Sequence, residues 1–320
     1  MMKTMMKPNK KTAVITGATG MLGLALMRKL TQEGYHIYAV TRPNSVRMSN
    51  IPAADNITKV ECALESYETL ADLIGEKCDS FYHFAWDGTF GAARDDMEIQ
   101  TRNIRASVYA AQAAVNLGCR VFVGAGSQAE YGRKDAQISP DTPTAPETGY
   151  GAAKLCAGQM TRIVCKKNDV KHIWCRVFSV YGPYDNSHTM IMSVINALLD
   201  GVKPSCTAGE QIWDYLYCDD AAEAFYLAAE KGKDGAVYCI GSGNSIPLRE
   251  YITELKNAVN SKSEIGFGEI PYYPNQVMYL CSDISSLKND TGFKPRYSFA
   301  RGISQTVEWA KEEKRKTNQR

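Results

Sequence analysis

The sequence predicts an α/β fold with a doubly wound parallel sheet and a smaller C-terminal part. Two observations support this prediction. Apolar, β-prone runs alternate with helix-type apolar spacing from the beginning of the chain, and a glycine-rich turn joins the first predicted strand to the first predicted helix. With 320 residues, the chain is long enough for one large α/β domain or two closely packed ones.

The elements of the first half follow in order from their apolar spacing. Short β-prone runs predict strands, and the longer stretches between them, with apolar residues three and four apart, predict helices. Gly34 marks the end of the first helix. The predicted strands are 12–16, 36–40, 81–85, 121–124 and 172–178. The predicted helices are 21–33, 96–117 and 149–167, and the stretches 215–229 and 236–240 indicate a return to the first domain.

Charge, hydropathy and cysteine placement argue against several classes of function. The net charge is +2 with both signs interspersed, so no basic face predicts nucleic-acid binding. No apolar run reaches the ~20 residues that a membrane helix needs. Ten cysteines lie scattered from Cys62 to Cys281 without a Cys-x-x-Cys pair, which favours reduced core thiols over a metal site. We therefore expect a cytoplasmic protein that uses no metal and binds neither nucleic acid nor membrane.

The glycine-rich turn after the first strand is typical of a dinucleotide site. Gly17, Gly20 and Gly23 have the required spacing between strand and helix. The first glycine permits the turn, the second lets a pyrophosphate approach the backbone, and the third lets helix and strand pack closely. Backbone N–H groups at the helix start favour that anion. The turn therefore predicts a Rossmann-type sheet whose cofactor contacts are Gly17, Thr19, Gly20, Met21, Leu22 and Gly23.

The end of the second predicted strand bears on the choice between NADP(H) and NAD(H). NAD(H) sites usually have an acid there, which binds the ribose hydroxyls and would repel a 2′-phosphate. This chain has Thr41 and Arg42 instead, with further polar and basic residues over 44–47. A guanidinium pairs with a phosphate through two hydrogen bonds. Thr41 and Arg42 therefore predict a site that favours NADP(H), with NAD(H) as the alternative.

Three side chains further along have the chemistry of a proton-transfer site. Tyr150 and Lys154 are four residues apart on a predicted helix, so they share one face. An ammonium beside a phenol lowers the phenol pKa from ~10 toward the working range, which lets tyrosine act as a general acid or base. Ser127, just beyond a predicted strand, offers a hydroxyl to the same substrate oxygen. Ser127, Tyr150 and Lys154 are thus the predicted catalytic residues.

Together with several other motifs, these residues resemble the extended short-chain dehydrogenases/reductases, in the branch of nucleotide-sugar epimerases, dehydratases and reductases. The resemblance extends over almost the whole chain. It implies an NAD(P)-dependent enzyme and a homodimer formed by the helices over 96–117 and 149–167, with the alanines of 110–114 allowing close approach. The additional motifs are 83–85, Asn103, 126–132, 176–183, 217–220, 238–241, Asp283 and 292–295.

The resemblance also implies further site residues. It adds to the cofactor contacts the residues Phe84, Ala85, Tyr150, Lys154, Phe178 and Val180. It adds a set of substrate contacts, namely Trp86, Gln128, Ser179 and Trp213, with a purely structural packing role as the alternative for the two tryptophans.

Departures from the family pattern narrow the expected reaction. In the 4,6-dehydratases, an Asp-Glu pair after the catalytic hydroxyl supplies acid and base for removing water, but Gln128 and Ala129 occupy those positions here. Glu130 is displaced by one residue and would point the opposite way on a strand. Ser179 stands in place of a familiar asparagine, and Trp213 in place of an arginine that often binds the nucleotide diphosphate. Gln128 and Ala129 therefore argue against dehydration, and Ser179 and Trp213 argue against the standard pose of a UDP-sugar.

The preferred interpretation is an NADP(H)-dependent reductase of a 4-keto nucleotide sugar. Tyr150 would give the proton, Lys154 would hold the nicotinamide ribose, and Ser127 would orient the carbonyl. One alternative is an NAD-dependent nucleotide-sugar C4 epimerase. Another is a non-catalytic Rossmann module that senses the cofactor, although such a sensor needs no proton donor.

The looser pattern after Tyr181, where Gly, Pro, Tyr and Asn cluster, predicts a change of organisation. We expect a dinucleotide-binding Rossmann domain over 1–178, with 212–243 returning to it. We expect the smaller substrate-binding domain to comprise 179–211 and 244–320.

Overall fold

Parallel strands form the central sheet of this protein, whose computed structural model describes residues 10–318. The strands are β1 (Thr12–Thr16), β2 (His36–Thr41), β3 (Ile57–Glu61), β4 (Ser80–His83), β5 (Val121–Ser127), β6 (Lys171–Val177), β7 (Ser179–Tyr181), β8 (Ser205–Cys206), β9 (Ile212–Trp213), β10 (Tyr215–Tyr217), β11 (Val237–Ile240), β12 (Ile246–Pro247), β13 (Gly266–Phe267) and β14 (Tyr279–Leu280). Seven of them make the sheet in the order β3-β2-β1-β4-β5-β6-β11, and every pairing in it is parallel. The predicted doubly wound parallel sheet is confirmed.

The central strands are buried on both faces, which explains their continuous apolar sequences. Successive side chains of β1 enter opposite layers: Ala13 and Ile15 belong to one hydrophobic cluster, and Val14 belongs to another. Phe81 of β4 and Phe122 of β5 stack in the second cluster with ring centroids 5.7 Å apart. The sheet is therefore covered by a packed layer on each side.

Some helices of the chain form those two layers, and others belong to its second half. The helices are α1 (Met21–Gln32), α2 (Leu70–Ile74), α3 (Met97–Asn116), α4 (Gly149–Lys167), α5 (Met190–Leu199), α6 (Cys218–Lys231), α7 (Leu248–Val259), α8 (Ser285–Thr291) and α9 (Phe299–Asn318). Helices α1 and α6 pack together, and α3 packs against α4. The three helices predicted from sequence are confirmed within one residue at each end. Asp96 precedes α3 as its N-cap, because its carboxylate accepts hydrogen bonds from the amides of Glu98 and Ile99.

The second half of the chain adds small sheets to this frame. Strand β10 pairs with β7, β9 lies between β12 and β14, and β13 pairs with β8. Helices α5, α7 and α9 pack against one another beside these strands. Strand β11 belongs to the central sheet, where it pairs with β6. The short strands of these small sheets all follow β6 along the chain.

The alanines of α3 are buried within this chain. Ala110, Ala111 and Ala114 have no exposed surface and lie in the same cluster as Phe81 and Phe122. They pack against the chain's own sheet and are not available for a partner helix. No helix of residues 10–318 combines the length and the apolar character that crossing a membrane requires.

Most of the cysteines lie in the core, as their apolar surroundings in the sequence predicted. All ten are free thiols, and every one except Cys156 is buried. Cys175 and Cys239, for example, are fully enclosed on adjacent strands of the central sheet. Within residues 10–318, no group of three or more His, Cys, Asp or Glu side chains is arranged to hold a metal ion.

Candidate active site

Two adjoining cavities open along the carboxyl ends of the central strands, where ligands bind in doubly wound folds. The larger, about 580 Å³, extends to Thr41 and Arg42 at the end of β2. The smaller, about 340 Å³, contains the Ser127, Tyr150 and Lys154 side chains. The glycine turn lines both cavities and joins them into one cleft.

The structure brings most of the predicted site residues into this cleft. Four predicted residues line neither cavity: Gln128, Ser179, Val180 and Trp213. The Trp213 indole N–H donates to the Ser179 hydroxyl at 2.8 Å, so these two side chains pair with each other. Their assignment to the site stays a prediction. The predicted residues that do line the cleft are Gly17, Thr19, Gly20, Met21, Leu22, Gly23, Thr41, Arg42, Phe84, Ala85, Trp86, Ser127, Tyr150, Lys154 and Phe178.

The three glycines of the turn meet different constraints. Gly17 has φ +67°, and a Cβ there would lie 2.8 Å from the Ala85 nitrogen. A Cβ on Gly23 would collide with the Gly17 carbonyl. A Cβ on Gly20 would meet only that carbonyl, at 3.5 Å, and would otherwise project into open space. The fold itself therefore requires glycine at 17 and 23, while the space beside Gly20 fits the close approach of a cofactor pyrophosphate.

We expect Gly20→Ala to separate cofactor binding from folding. Alanine fits the extended backbone of this N-cap position at a cost below about 1 kcal/mol, but its methyl group would block the pyrophosphate. Calorimetric titration should show cofactor affinity reduced by about 10-fold or more, which corresponds to ~1.4 kcal/mol. Gly23→Ala, the matched variant, should instead destabilise the protein by about 1–3 kcal/mol through its backbone clash. Unchanged cofactor affinity in Gly20→Ala would contradict this assignment.

A directed chain of hydrogen bonds fixes the backbone next to the turn. The Thr16 hydroxyl accepts from the Phe84 amide at 3.1 Å, so its proton is directed to Nδ1 of His83, 2.9 Å away. Nε2 of His83 lies 3.0 Å from the Ser107 hydroxyl, which donates to the Asn103 carbonyl at 2.8 Å. This order makes Nε2 the protonated nitrogen. Burial lowers the pKa of His83 to about 3, so the imidazole stays neutral.

Ser127 is held with its hydroxyl proton available. Its Oγ accepts from the Ala129 amide at 3.1 Å, and its own amide donates to Glu130 Oε1 at 2.8 Å. The side chain is 8% exposed and lines the smaller cavity. Because the oxygen already accepts from a backbone amide, the hydroxyl proton is free to be donated to a substrate oxygen. Glu130 points away from the cleft, although its segment is a 3₁₀ turn rather than a strand.

Lys154 is enclosed between a carbonyl group and an indole. Its Nζ donates to the Ala125 carbonyl at 2.7 Å and lies 3.8 Å from the centre of the Trp86 ring. The Trp86 N–H donates in turn to Gln100 Oε1 at 2.9 Å, which fixes the ring. Burial lowers the pKa of Lys154 to about 7. The Lys154 amine is therefore only partly protonated near neutral pH.

The expectation that Lys154 lowers the pKa of Tyr150 is not met in this structure. Burial raises the pKa of the Tyr150 phenol, and the Ser127 hydroxyl and the Arg94 guanidinium oppose part of that shift. Arg94 lies 4.4 Å from the centre of the Tyr150 ring, whereas the Lys154 nitrogen is 5.8 Å away. Lys154 is turned toward the Ala125 carbonyl, so Arg94 is the cation in closest contact with the ring.

Sequence reasoning missed two acids in the cleft. Glu65 lines the larger cavity near the end of β2. Asp185 lines the smaller one, where burial raises its pKa to about 6 and the Asn186 amide and Thr189 hydroxyl donate to it. The Gly-Pro-Tyr cluster before Asp185 indicated only a turn, and Tyr184 indeed has φ +69°. Neither acid belongs to a motif whose spacing points to a ligand.

Comparison with known proteins agrees with the geometry of the cleft. The sequence model of the NAD dependent epimerase/dehydratase family matches residues 13–241. This chain belongs to that family. The match contains the glycine turn, the three predicted catalytic residues and every strand of the central sheet except the first residue of β1. Membership of this NAD dependent epimerase/dehydratase family confirms the predicted class of NAD(P)-dependent enzyme.

Relatives of this family member cover nearly the whole chain. A CDP-abequose synthase of Salmonella typhimurium is 25% identical over 313 residues, covering 93% of this chain and 98% of the relative. A dTDP-4-dehydro-6-deoxyglucose reductase of Escherichia coli is 23% identical over 320 residues, covering 94% and 98%. The crystal structure of a UDP-glucose 4-epimerase from Thermotoga maritima, with UDP-glucose, superposes with a TM-score of 0.85 at 22% identity, covering 94% of this chain and 99% of that one. The last likeness establishes the fold.

Proposed function

We propose that this protein is an NADP(H)-dependent reductase of a 4-keto nucleotide sugar. The observation that carries the proposal is the convergence of Ser127, Tyr150 and Lys154 in a cavity continuous with the glycine turn. The similarity to a reductase of a nucleotide-linked dehydro sugar supports the substrate class. Purified protein should oxidise NADPH in the presence of a 4-keto sugar nucleotide and release the corresponding alcohol. Absence of oxidation across CDP-, dTDP- and UDP-linked 4-keto sugars would contradict the proposal.

The chain's own residues act on the carbonyl oxygen of the substrate. Ser127 donates its hydroxyl hydrogen to that oxygen and fixes its position, and Tyr150 supplies the proton that converts it to a hydroxyl. Hydride for the carbonyl carbon is the chemistry that NADPH supplies when bound. A cation near the ring, Arg94 in this structure, stabilises the phenolate left on Tyr150. We propose that Lys154 binds the ribose of the nicotinamide half of the cofactor.

The preference for NADP(H) is proposed on the basis of Arg42 and Arg47, which both line the larger cavity. We expect Arg42→Ala to weaken NADP(H) binding by about 1.5–3 kcal/mol, because a charge-assisted hydrogen bond to the 2′-phosphate is lost. NAD(H) affinity should stay unchanged. Calorimetric titration of both cofactors against wild type and variant measures the difference.

Glu65 provides the matched test of the alternative cofactor. A carboxylate that binds the ribose hydroxyls would favour NAD(H), so Glu65→Gln should weaken NAD(H) binding if the cavity is built for that cofactor. Tighter binding of NAD(H) than NADP(H) by wild type would overturn the preference and favour the C4 epimerase. The two enzymes differ in outcome as well, since an epimerase interconverts sugars without net consumption of cofactor. The intact Ser127, Tyr150 and Lys154 set argues against a non-catalytic sensor.

We also propose that the protein is a homodimer, with α4 at the interface. Met160 and Ile163 on this helix are 42% and 56% exposed, and Cys156 lies one turn before Met160. The replacement Ile163→Asp should convert a dimer to a monomer, because a carboxylate would be buried without a partner. Light scattering at micromolar concentration measures both forms. A monomeric wild type at that concentration would contradict the proposal.

Two further proposals concern the domain bounds of the chain and its cellular location. We propose that 1–178 with 212–243 forms the cofactor domain, and that 179–211 with 244–320 forms the substrate domain; residues 1–9 and 319–320 of these ranges lie outside the described residues. The Tyr184–Asn186 segment at the substrate end of the smaller cavity supports this division. The free, mostly buried thiols support a reducing compartment, and we propose the cytoplasm.

A further inference from the structure

A buried polar cluster lies behind Ser127, on the side away from the cleft. Glu130 is fully buried and accepts hydrogen bonds from three directions. The Ser127 amide donates to Oε1 at 2.8 Å, the Trp174 indole N–H donates to the same oxygen at 2.9 Å, and Arg176 Nε donates to Oε2 at 2.7 Å. The carboxylate therefore connects strand β6 directly to the backbone of Ser127.

The cluster is accommodated by glycines on two elements. A Cβ on Gly124 or Gly126 of β5 would collide with the Trp174 ring, and a Cβ on Gly126 would also lie 2.5 Å from Glu130 Oε1. A Cβ on Gly158 of α4 would lie 2.7 Å from that ring. Three positions thus lack side chains where Trp174 needs room. The indole consequently lies between sheet and helix with its N–H directed at Glu130.

Arg176 neutralises the buried carboxylate of Glu130, which would be unstable in the interior without a counter-charge. The Arg176 guanidinium also lies 4.4 Å from the centre of the Tyr131 ring and donates to the Pro140 carbonyl at 3.4 Å. Buried ion pairs of this kind rarely add net stability, because desolvation offsets their attraction. The hydrogen bond from the Ser127 amide to Glu130 indicates instead that this ion pair positions Ser127.

We propose that Glu130 is a positioning residue for Ser127, held in place by Trp174 and Arg176. The proposal rests on the reductase function proposed above. The capping box between Ser127 and Glu130 fixes the backbone at 127, and the Ala129 amide then orients the Ser127 hydroxyl. Glu130 itself faces the interior and touches no ligand space of the cleft. Its hydrogen-bond connection to the catalytic residues runs through the Ser127 amide. Its charge also raises the pKa of Tyr150 and of Lys154, so the test below removes Glu130 together with its counter-charge, Arg176.

The test exchanges the ion pair for apolar side chains in two backgrounds. The double variant Glu130→Met with Arg176→Met removes the acceptor of the Ser127 amide without leaving one buried charge unpaired. In the wild-type background, kcat should fall on the order of 10-fold, while the cofactor Kd stays within about twofold. In a Ser127→Ala background, the same exchange should lower kcat by less than about threefold, because residues that act as a unit are not additive. Trp174→Phe should show the same pattern more weakly.

The controls distinguish positioning from general damage. Glu230→Gln removes a carboxylate that is paired with Tyr35 and Lys11 at the opposite end of the sheet, and it should leave kcat unchanged. An equal fold-loss of kcat in both backgrounds, or no loss in either, would overturn the proposal. If wild type reduces no 4-keto sugar, the proposed function fails, and amide hydrogen exchange still tests the positioning role. Exchange at Ser127 should accelerate in the double variant more than exchange at neighbouring β5 amides, and uniform acceleration along β5 would overturn the proposal.

Discussion

Replacing Tyr150 with phenylalanine is expected to lower turnover by about 10²- to 10⁴-fold, the usual contribution of general acid–base catalysis. The phenol oxygen is the proton source, and phenylalanine removes only that oxygen. The ring contacts with Arg94 and Trp86 survive the change, so fold and cofactor affinity should persist. Single-turnover oxidation of NADPH with a 4-keto sugar nucleotide, followed across pH, measures the loss.

Ser127→Ala is the graded comparison for that result. It removes one oriented hydrogen bond and leaves the proton source in place, so its turnover should lie between those of wild type and Tyr150→Phe. Melting curves and cofactor titration serve as controls for both variants. Near-normal turnover in Tyr150→Phe would show that another group, such as Asp185 in the same cavity, carries the proton.

Lys154→Met is expected to abolish most turnover and yet to stabilise the cofactor-free protein by about 2–4 kcal/mol at pH 7. Burial lowers the Lys154 pKa from 10.5 in the unfolded chain to about 7 in the folded protein. Holding the ammonium in the fold therefore costs free energy below pH 10.5. Methionine has a similar shape and carries no such cost, although it loses the hydrogen bond to the Ala125 carbonyl.

The pH dependence of unfolding shows whether the buried ammonium of Lys154 is the cause of this gain in stability. Between pH 7 and 10.5 the unfolded wild type binds more protons at this lysine than the folded protein does, so folding of the wild type becomes more favourable as pH rises. Relative to Lys154→Met, the free energy of unfolding of wild type should increase by about 1.4 kcal/mol per pH unit in that window. Below pH 7 the difference should be constant. Urea unfolding at pH 6, 7, 8 and 9 measures it.

The exposed Lys167 on the same helix provides the control. Lys167→Met should change neither the free energy of unfolding nor its pH dependence. Parallel pH profiles for wild type and Lys154→Met would contradict the assignment of a low pKa to Lys154. They would also remove the physical reason for the expected gain in stability.

Sequence reasoning was most successful where a local pattern determines structure. The glycine turn, the alternation of strands and helices, and the placement of Tyr150 and Lys154 on one helix all depend on short-range spacing. Each of these features is present, and the helices over 149–167 and 96–117 were predicted almost to the residue. The family followed from the same motifs.

Features that depend on long-range contacts were not predicted. The helices α5, α7 and α8 lie in a region whose short elements gave no clear period. The contact of Arg94 with Tyr150 joins a loop to a helix more than fifty residues away, and no spacing rule reports it. The sequence-based expectation about the Tyr150 pKa also lacked the burial of Lys154, which only the folded chain reveals. Alanines of α3, interpreted from sequence as a partner surface, proved to be core residues.

The fit of Trp174 against Gly124, Gly126 and Gly158 imposes an order on evolutionary change. A larger residue at any of the three glycines meets the indole, so such a substitution is harmful while Trp174 is present. Replacing Trp174 first creates a void, which is costly but leaves room for the glycines to vary afterwards. Lineages derived from this protein can therefore replace Trp174 first and the three glycines afterwards far more readily than in the opposite order. Present-day homologues should have either tryptophan at 174 with all three glycines, or another residue at 174 with larger residues at the glycine positions. Few homologues should combine tryptophan with a larger residue at one of the three.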